Sequence, residues 1–108
     1  MNLAKAESCV HLMNINEDPI LTGYVRHILK TGDNKVGSKV EQGFRMGGLG
    51  IGEDHCVLSL SGEKVTLKAN KKFKTIVNGQ LITSSTPLSH GDLILFGSNN
   101  LYILLFPQ

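Results

Sequence analysis

The nitrogen and sulfur donors of this 108-residue chain that could ligate a metal or shuttle a proton are four histidines, at positions 11, 27, 55 and 90, and two cysteines, Cys9 and Cys56. A closed zinc site draws its ligands from short spacings such as Cys-x-x-Cys or His-x-x-x-His. Neither spacing occurs, and the adjacent pair His55-Cys56 points to opposite faces if it lies on a strand. No metal site is expected. Nucleophilic hydrolysis would need a serine on a strained turn, and the chain has no Gly-x-Ser-x-Gly elbow. His90-Gly91-Asp92 reads instead as a turn in which Gly91 adopts an unusual φ and Asp92 opens a strand. No catalytic residue is assigned, and the chain is read as non-enzymatic.

Gly47-Gly48-Leu49-Gly50-Ile51-Gly52 has the look of a phosphate cradle, yet neither Gly-x-Gly-x-x-Gly nor Gly-x-x-x-x-Gly-Lys can be laid on it. It also leads into Glu53-Asp54-His55 and a strand, whereas phosphate loops open a helix whose N-terminus attracts the anion. It is read as a flexible connection with Leu49 and Ile51 anchored in the core. Lys68, Lys71, Lys72 and Lys74 are the one charge cluster. Four lysines so close could dock a phosphate or an acidic partner, but the sequence alone favours a solvated edge that resists aggregation.

The elements that must position these groups are short. Twelve glycines and frequent asparagines cut the chain into pieces too brief for ordinary helices. Residues 24–29 read as a strand, 30–34 as a polar turn and Lys35-Val36 as a return strand, giving a hairpin. In residues 55–60, Cys56, Leu58 and Leu60 share one face, which is expected to look inward. The turn Ser61-Gly62-Glu63 leads to residues 64–69, where Val65, Leu67 and Ala69 alternate with Lys64, Thr66 and Lys68. Asn78-Gly79 suits a two-residue type I′ turn between 75–77 and 80–82. Residues 92–96 and 101–105 form a further hairpin that Pro107 terminates. About ten short strands close most economically as two packed sheets.

Eleven basic against nine acidic residues leave a net charge of +2, too small to imply nucleic acid. The longest apolar run, 101–106, is six residues, so no membrane insertion is expected and the protein reads as soluble. Two cysteines exclude a disulfide framework and fit a reducing compartment. Residues 1–9 read as a leader or linker and 10–108 as one domain.

Taken in order, Val36-Gly37, Ile51-Gly52-Glu53-Asp54-His55-Cys56, Val77-Asn78-Gly79 and Leu88-Ser89-His90-Gly91-Asp92-Leu93-Ile94-Leu95-Phe96-Gly97 resemble a forkhead-associated (FHA) domain. The stretch His11-Leu12-Met13-Asn14-Ile15-Asn16-Glu17-Asp18-Pro19 resembles the segment that opens the FHA domain of kinesin-3 motors. The resemblance implies an all-β sandwich of about 11 strands, with loops at one end that commonly bind phosphothreonine peptides. In the family pattern a Gly-Arg pair leads into the first loop, a serine precedes the histidine by three, and an Asn-Gly follows. Here Gly37 matches the glycine, Ser38 stands for the arginine, Gly52 for the serine, and His55, Asn78 and Gly79 match.

On that resemblance Gly37, His55 and Gly79 shape the loops, Asn78 holds a peptide backbone, and Lys39 or Arg45 is the cation available to replace the arginine. Phosphothreonine brings close to two charges and three acceptors, which Arg meets with a planar fork and Ser38 with one hydroxyl. Charge-assisted bonds of about 1.5–3 kcal/mol each make the loss of that fork worth one to four decades of affinity. The expected function is therefore a protein-interaction module of a kinesin-3-like microtubule motor with weakened phosphothreonine reading. Its partners would be proteins or peptides, including neighbouring neck or coiled-coil segments or an adaptor. The alternative is a phosphothreonine-peptide reader. No cofactor is expected in this domain. ATP, Mg and microtubules would belong to a parent motor, in the cytoplasm on the cytoskeleton, because these residues hold no Walker lysine.

Overall fold

A computed structural model describes residues 3–107; Met1, Asn2 and Gln108 lie outside the described residues. The chain runs α1 (Leu3–Glu7), β1 (His11–Asn14), β2 (Arg26–Ile28), β3 (Gly32–Gly37), β4 (Gly43–Arg45), β5 (Cys56–Ser61) and β6 (Lys64–Ala69). It continues through β7 (Thr75–Val77), β8 (Gln80–Leu81), β9 (Thr86–Leu88), β10 (Leu93–Phe96) and β11 (Asn100–Leu105). Two sheets result, a six-stranded one in the order β2-β1-β11-β10-β7-β8 and a five-stranded one in the order β4-β3-β5-β6-β9. This is the expected β-sandwich. Part of the expected leader, 3–7, is a helical turn whose Ala6 is fully buried.

The core lies between the sheets. Leu12, Ile94, Phe96 and Leu104 from one sheet and Val36, Leu58, Val65 and Leu67 from the other are almost wholly buried. Cys56, Leu58 and Leu60 face inward as their alternation requires, and β5 and β6 pair antiparallel from Cys56↔Ala69 to Ser61↔Lys64. Burial pushes the Cys56 thiol up to about 12, so it is a packing group and not a thiolate.

Two expectations fail, each for a visible reason. Residues 24–29 and 35–36 do not form a hairpin, because β2 belongs to the six-stranded sheet and β3 to the other. The intervening turn is a crossing between layers, pinned by the buried Asn34. Its Nδ2 donates to the carbonyls of Lys30, Gly32 and Leu58, and its Oδ1 accepts from the Lys30 amide. That network gives the Lys30 backbone, which lies outside the strands, hydrogen-bond partners and ties it to β3 and β5. Leu49 is 72% exposed and anchors nothing, whereas Ile51 does pack on the core. The glycine run instead seats its backbone against the β10–β11 turn. Ser98 N–H donates to the Leu49 carbonyl, and a Cβ on Gly97 would lie 2.8 Å from the Gly50 carbonyl carbon.

Candidate recognition loops

Three loops of the five-stranded sheet and its exit meet at one end of the sandwich: 38–42 after β3, 46–55 before β5 and 70–74 after β6. β4 runs parallel to β3 in the register Lys35↔Gly43, Val36↔Phe44 and Gly37↔Arg45, so the first loop must carry the chain back from the end of β3 to the level of Lys35. The second is fastened across it. Met46 N–H donates to the Gly37 carbonyl and Ser38 N–H to the Gly52 carbonyl at 2.9 Å. Gly37 is required by this closeness, since a Cβ there would lie 2.8 Å from the Glu53 carbonyl carbon.

His55 joins the second loop to the third. Its side chain is fully buried, its Nδ1 accepts from the Gly52 amide at 3.1 Å, and its Nε2 lies 2.8 Å from the Lys74 carbonyl. Those partners fix a neutral imidazole carrying its proton on Nε2. Burial lowers its pKa, opposed by the hydrogen bond to the Lys74 carbonyl. Both ring nitrogens are consumed by backbone, so His55 is a tie between loops and has no nitrogen left for a ligand. The third loop is turned by Asn70, whose Oδ1 accepts from the Lys72 amide while its Nδ2 donates to the Asp54 carbonyl.

Phe73 closes the corner. Its ring stacks on His55 with centroids 5.6 Å apart at 23°, and it fills the space that a side chain at position 52 would take. A Cβ built on Gly52 lies 2.5 Å from Phe73 Cγ. The missing serine hydroxyl and the inserted ring are therefore one feature, which the sequence reading did not find. A lone aromatic among four lysines, beside an unexpected glycine three residues before a histidine, was the available signal.

Of the sequence-derived site residues, Gly37, Ser38, Gly52 and His55 come together here. Lys39 is beside them, with its ammonium 3.2 Å from Glu53 Oε1. Arg45 is in register with Gly37, but its Nε donates to the Val40 carbonyl at 3.3 Å. Asn78 and Gly79 are not part of the cluster. They form the β7–β8 turn at the far end of β7, four residues and so about 13 Å of strand beyond Lys74. Asn78 (φ 50°) and Gly79 (φ 83°) take the left-handed conformations of a type I′ turn. The Asn78 side chain is spent there: Nδ2 donates to Asp92 Oδ1 and Oδ1 accepts from the Leu93 amide. The structure thus sets Asn78 apart from Gly37, Ser38, Gly52 and His55, with its amide group hydrogen-bonded to Asp92 and Leu93. Among the described residues no group of three or more His, Cys, Asp or Glu is arranged to hold a metal ion.

A sandwich that collects loops at one end and fastens them with a neutral histidine holds those loops in one fixed surface. The chain belongs to the FHA domain family, whose sequence model matches residues 34–97. FHA domains are non-catalytic protein-interaction modules. The chain is 39% identical over 91% of its length to the kinesin-like protein KIF28 of mouse and 34% identical over 91% to human KIF13A. It spans 10% and 5% of those proteins, respectively. Among solved structures it is similar to an FHA domain studied for phosphothreonine-dependent interactions, with a TM-score of 0.77 and 21% identity over 94% of this chain and 99% of that one. The yeast Dun1 FHA domain, solved in complex with a doubly phosphorylated peptide, superposes with a TM-score of 0.74 at 16% identity, covering 92% of this chain and 75% of that one.

Proposed function

We propose that this domain holds protein partners without depending on phosphothreonine, as an interaction module within a kinesin-3-like microtubule motor. The observation that carries the reading is the Phe73 ring, stacked on His55 and filling the space beside Gly52 where a phosphate-binding hydroxyl would stand. Ser38 offers one neutral hydroxyl in place of an arginine fork, Lys39 is engaged by Glu53, and the Arg45 guanidinium turns to a backbone carbonyl. Gly37 and His55 then serve the loop framework. The partners are neighbouring neck or coiled-coil segments of the same motor, or an adaptor. ATP, Mg and microtubules are handled elsewhere in that motor, which places the domain on the cytoskeleton of the cytoplasm.

Calorimetric titration with a phosphothreonine peptide library and its unphosphorylated twins tests this. The expected result is no phosphate-dependent difference. Micromolar binding that disappears on dephosphorylation would overturn the reading and restore the phosphothreonine reader. The same preparation is expected to turn over no ATP above a buffer control.

A further inference from the structure

Beside the recognition loops, the outer face of the five-stranded sheet carries an open trough of about 710 Å³. Its floor is one cross-strand row, Lys35↔Val57 and Val57↔Lys68, on β3, β5 and β6. Its upper wall is the turn after β6, with Lys71 and Lys72 on the rim. Four of the chain's eleven basic residues thus surround one depression. The carboxylates that face them are Asp33 and Asp54. Asp33 accepts from Ser59 Oγ at 2.9 Å and holds Lys68 at 3.5 Å, and Asp54 lines the trough from the loop side. Lys35, Lys71 and Lys72 stand exposed, with no carboxylate within ion-pair distance among the described residues. Solvated lysines on a convex edge would need no partner; these converge on a concavity whose floor row includes the apolar Val57.

We propose that this trough docks an acidic peptide segment, one presenting several Asp or Glu side chains in extended conformation. Lys35 and Lys68 are two strands apart, about 10 Å, with Lys71 and Lys72 further along the same wall. A single phosphate cannot reach all of them, and ammonium groups lack the planar fork that clamps one. An extended acidic strand repeats carboxylates on one side about every 7 Å, which matches such a spread of point charges. The apolar floor receives the methylene stems between the charges. The trough shares Asp54, Lys71 and Lys72 with the second and third recognition loops, but the inference rests on the lysine charges and not on phosphothreonine reading, which the phosphothreonine titration tests separately.

The test is fluorescence anisotropy of the 108-residue chain with a labelled octaglutamate peptide, against an octaglutamine peptide of equal length. The octaglutamate is expected to bind saturably at about 50 mM salt and to weaken at least about fivefold at about 300 mM. The octaglutamine is expected not to bind. Lys71→Glu with Lys72→Glu should weaken binding at least about tenfold, since each reversal turns an attraction into a repulsion. Among the described residues neither side chain makes a hydrogen bond or ion pair, so an unchanged thermal melt is expected for the pair. Lys64→Glu, at the opposite end of β6, should leave binding within about twofold. The proposal falls if octaglutamate does not saturate, if Lys64→Glu weakens it as much as the rim reversals, or if inorganic phosphate displaces it at matched charge concentration.

Discussion

Restoring a serine at position 52 probes the physics of the closed corner directly. A Cβ there arrives 2.5 Å from Phe73 Cγ, against an ordinary contact of 3.4–4 Å, so the ring must retreat by about 1 Å or swing out. Its backbone neighbours offer no easy accommodation, because Gly52 N–H is held by His55 and its carbonyl by Ser38. Overpacking of this kind costs about 1–3 kcal/mol, and a displaced ring also forfeits the stack on His55, worth about 0.5–1.5 kcal/mol. Gly52→Ser alone should therefore lower unfolding stability by about 2 kcal/mol in urea titrations. Introduced into Phe73→Ala, the same change should cost less than about 0.5 kcal/mol, a coupling well above the usual error of additivity. Ser38→Arg in that opened double variant should then raise phosphothreonine affinity above that of the unaltered chain, because fork, hydroxyl and space are present together. Additive stability losses in the cycle would refute the claim that the ring and the missing hydroxyl are one feature.

Gly37→Ala drives a methyl group into the Glu53 carbonyl, where backbone and not a movable side chain is in the way, and should cost at least about 3 kcal/mol by urea midpoint or abolish folding. Asn78→Ala should lose about 1–2 kcal/mol, from the left-handed φ and two side-chain hydrogen bonds, while leaving peptide titrations within about twofold. Burial holds His27 and His55 below their ordinary value of 6.5, so the unfolded chain takes up protons first as pH falls. Thermal midpoints should accordingly be flat above about pH 6.5 and decline below it. His27→Phe should make that decline shallower, because it removes a buried Nε2 without a hydrogen-bond partner and keeps a ring to stack on Phe44 at 4.8 Å.

Local pattern was enough wherever a short-range rule decides the outcome. The inward face Cys56, Leu58, Leu60 follows from the two-residue period of a strand, and the Asn78-Gly79 turn from the positive φ that a two-residue hairpin demands. The sandwich class followed from the number and brevity of such pieces. What local pattern could not reveal is which sheet a strand joins. Residues 24–36 read as a hairpin by every nearby signal, yet β3 pairs with β5, twenty-four residues on at Asn34↔Leu58, and not with β2.

The same limit governs the recognition loops. Residue identities at fixed spacings were enough to read an all-β interaction module, with Gly37, Ser38 and His55 at set places in the chain. That Asn78 stands at the other end of β7, that His55 spends both nitrogens on backbone, and that Phe73 occupies the room left by Gly52 emerge from the three-dimensional arrangement alone. Residue types fix what a group can do chemically. Which groups share a few ångströms depends on sheet pairing between segments far apart in the chain, and that is set by packing of the whole core.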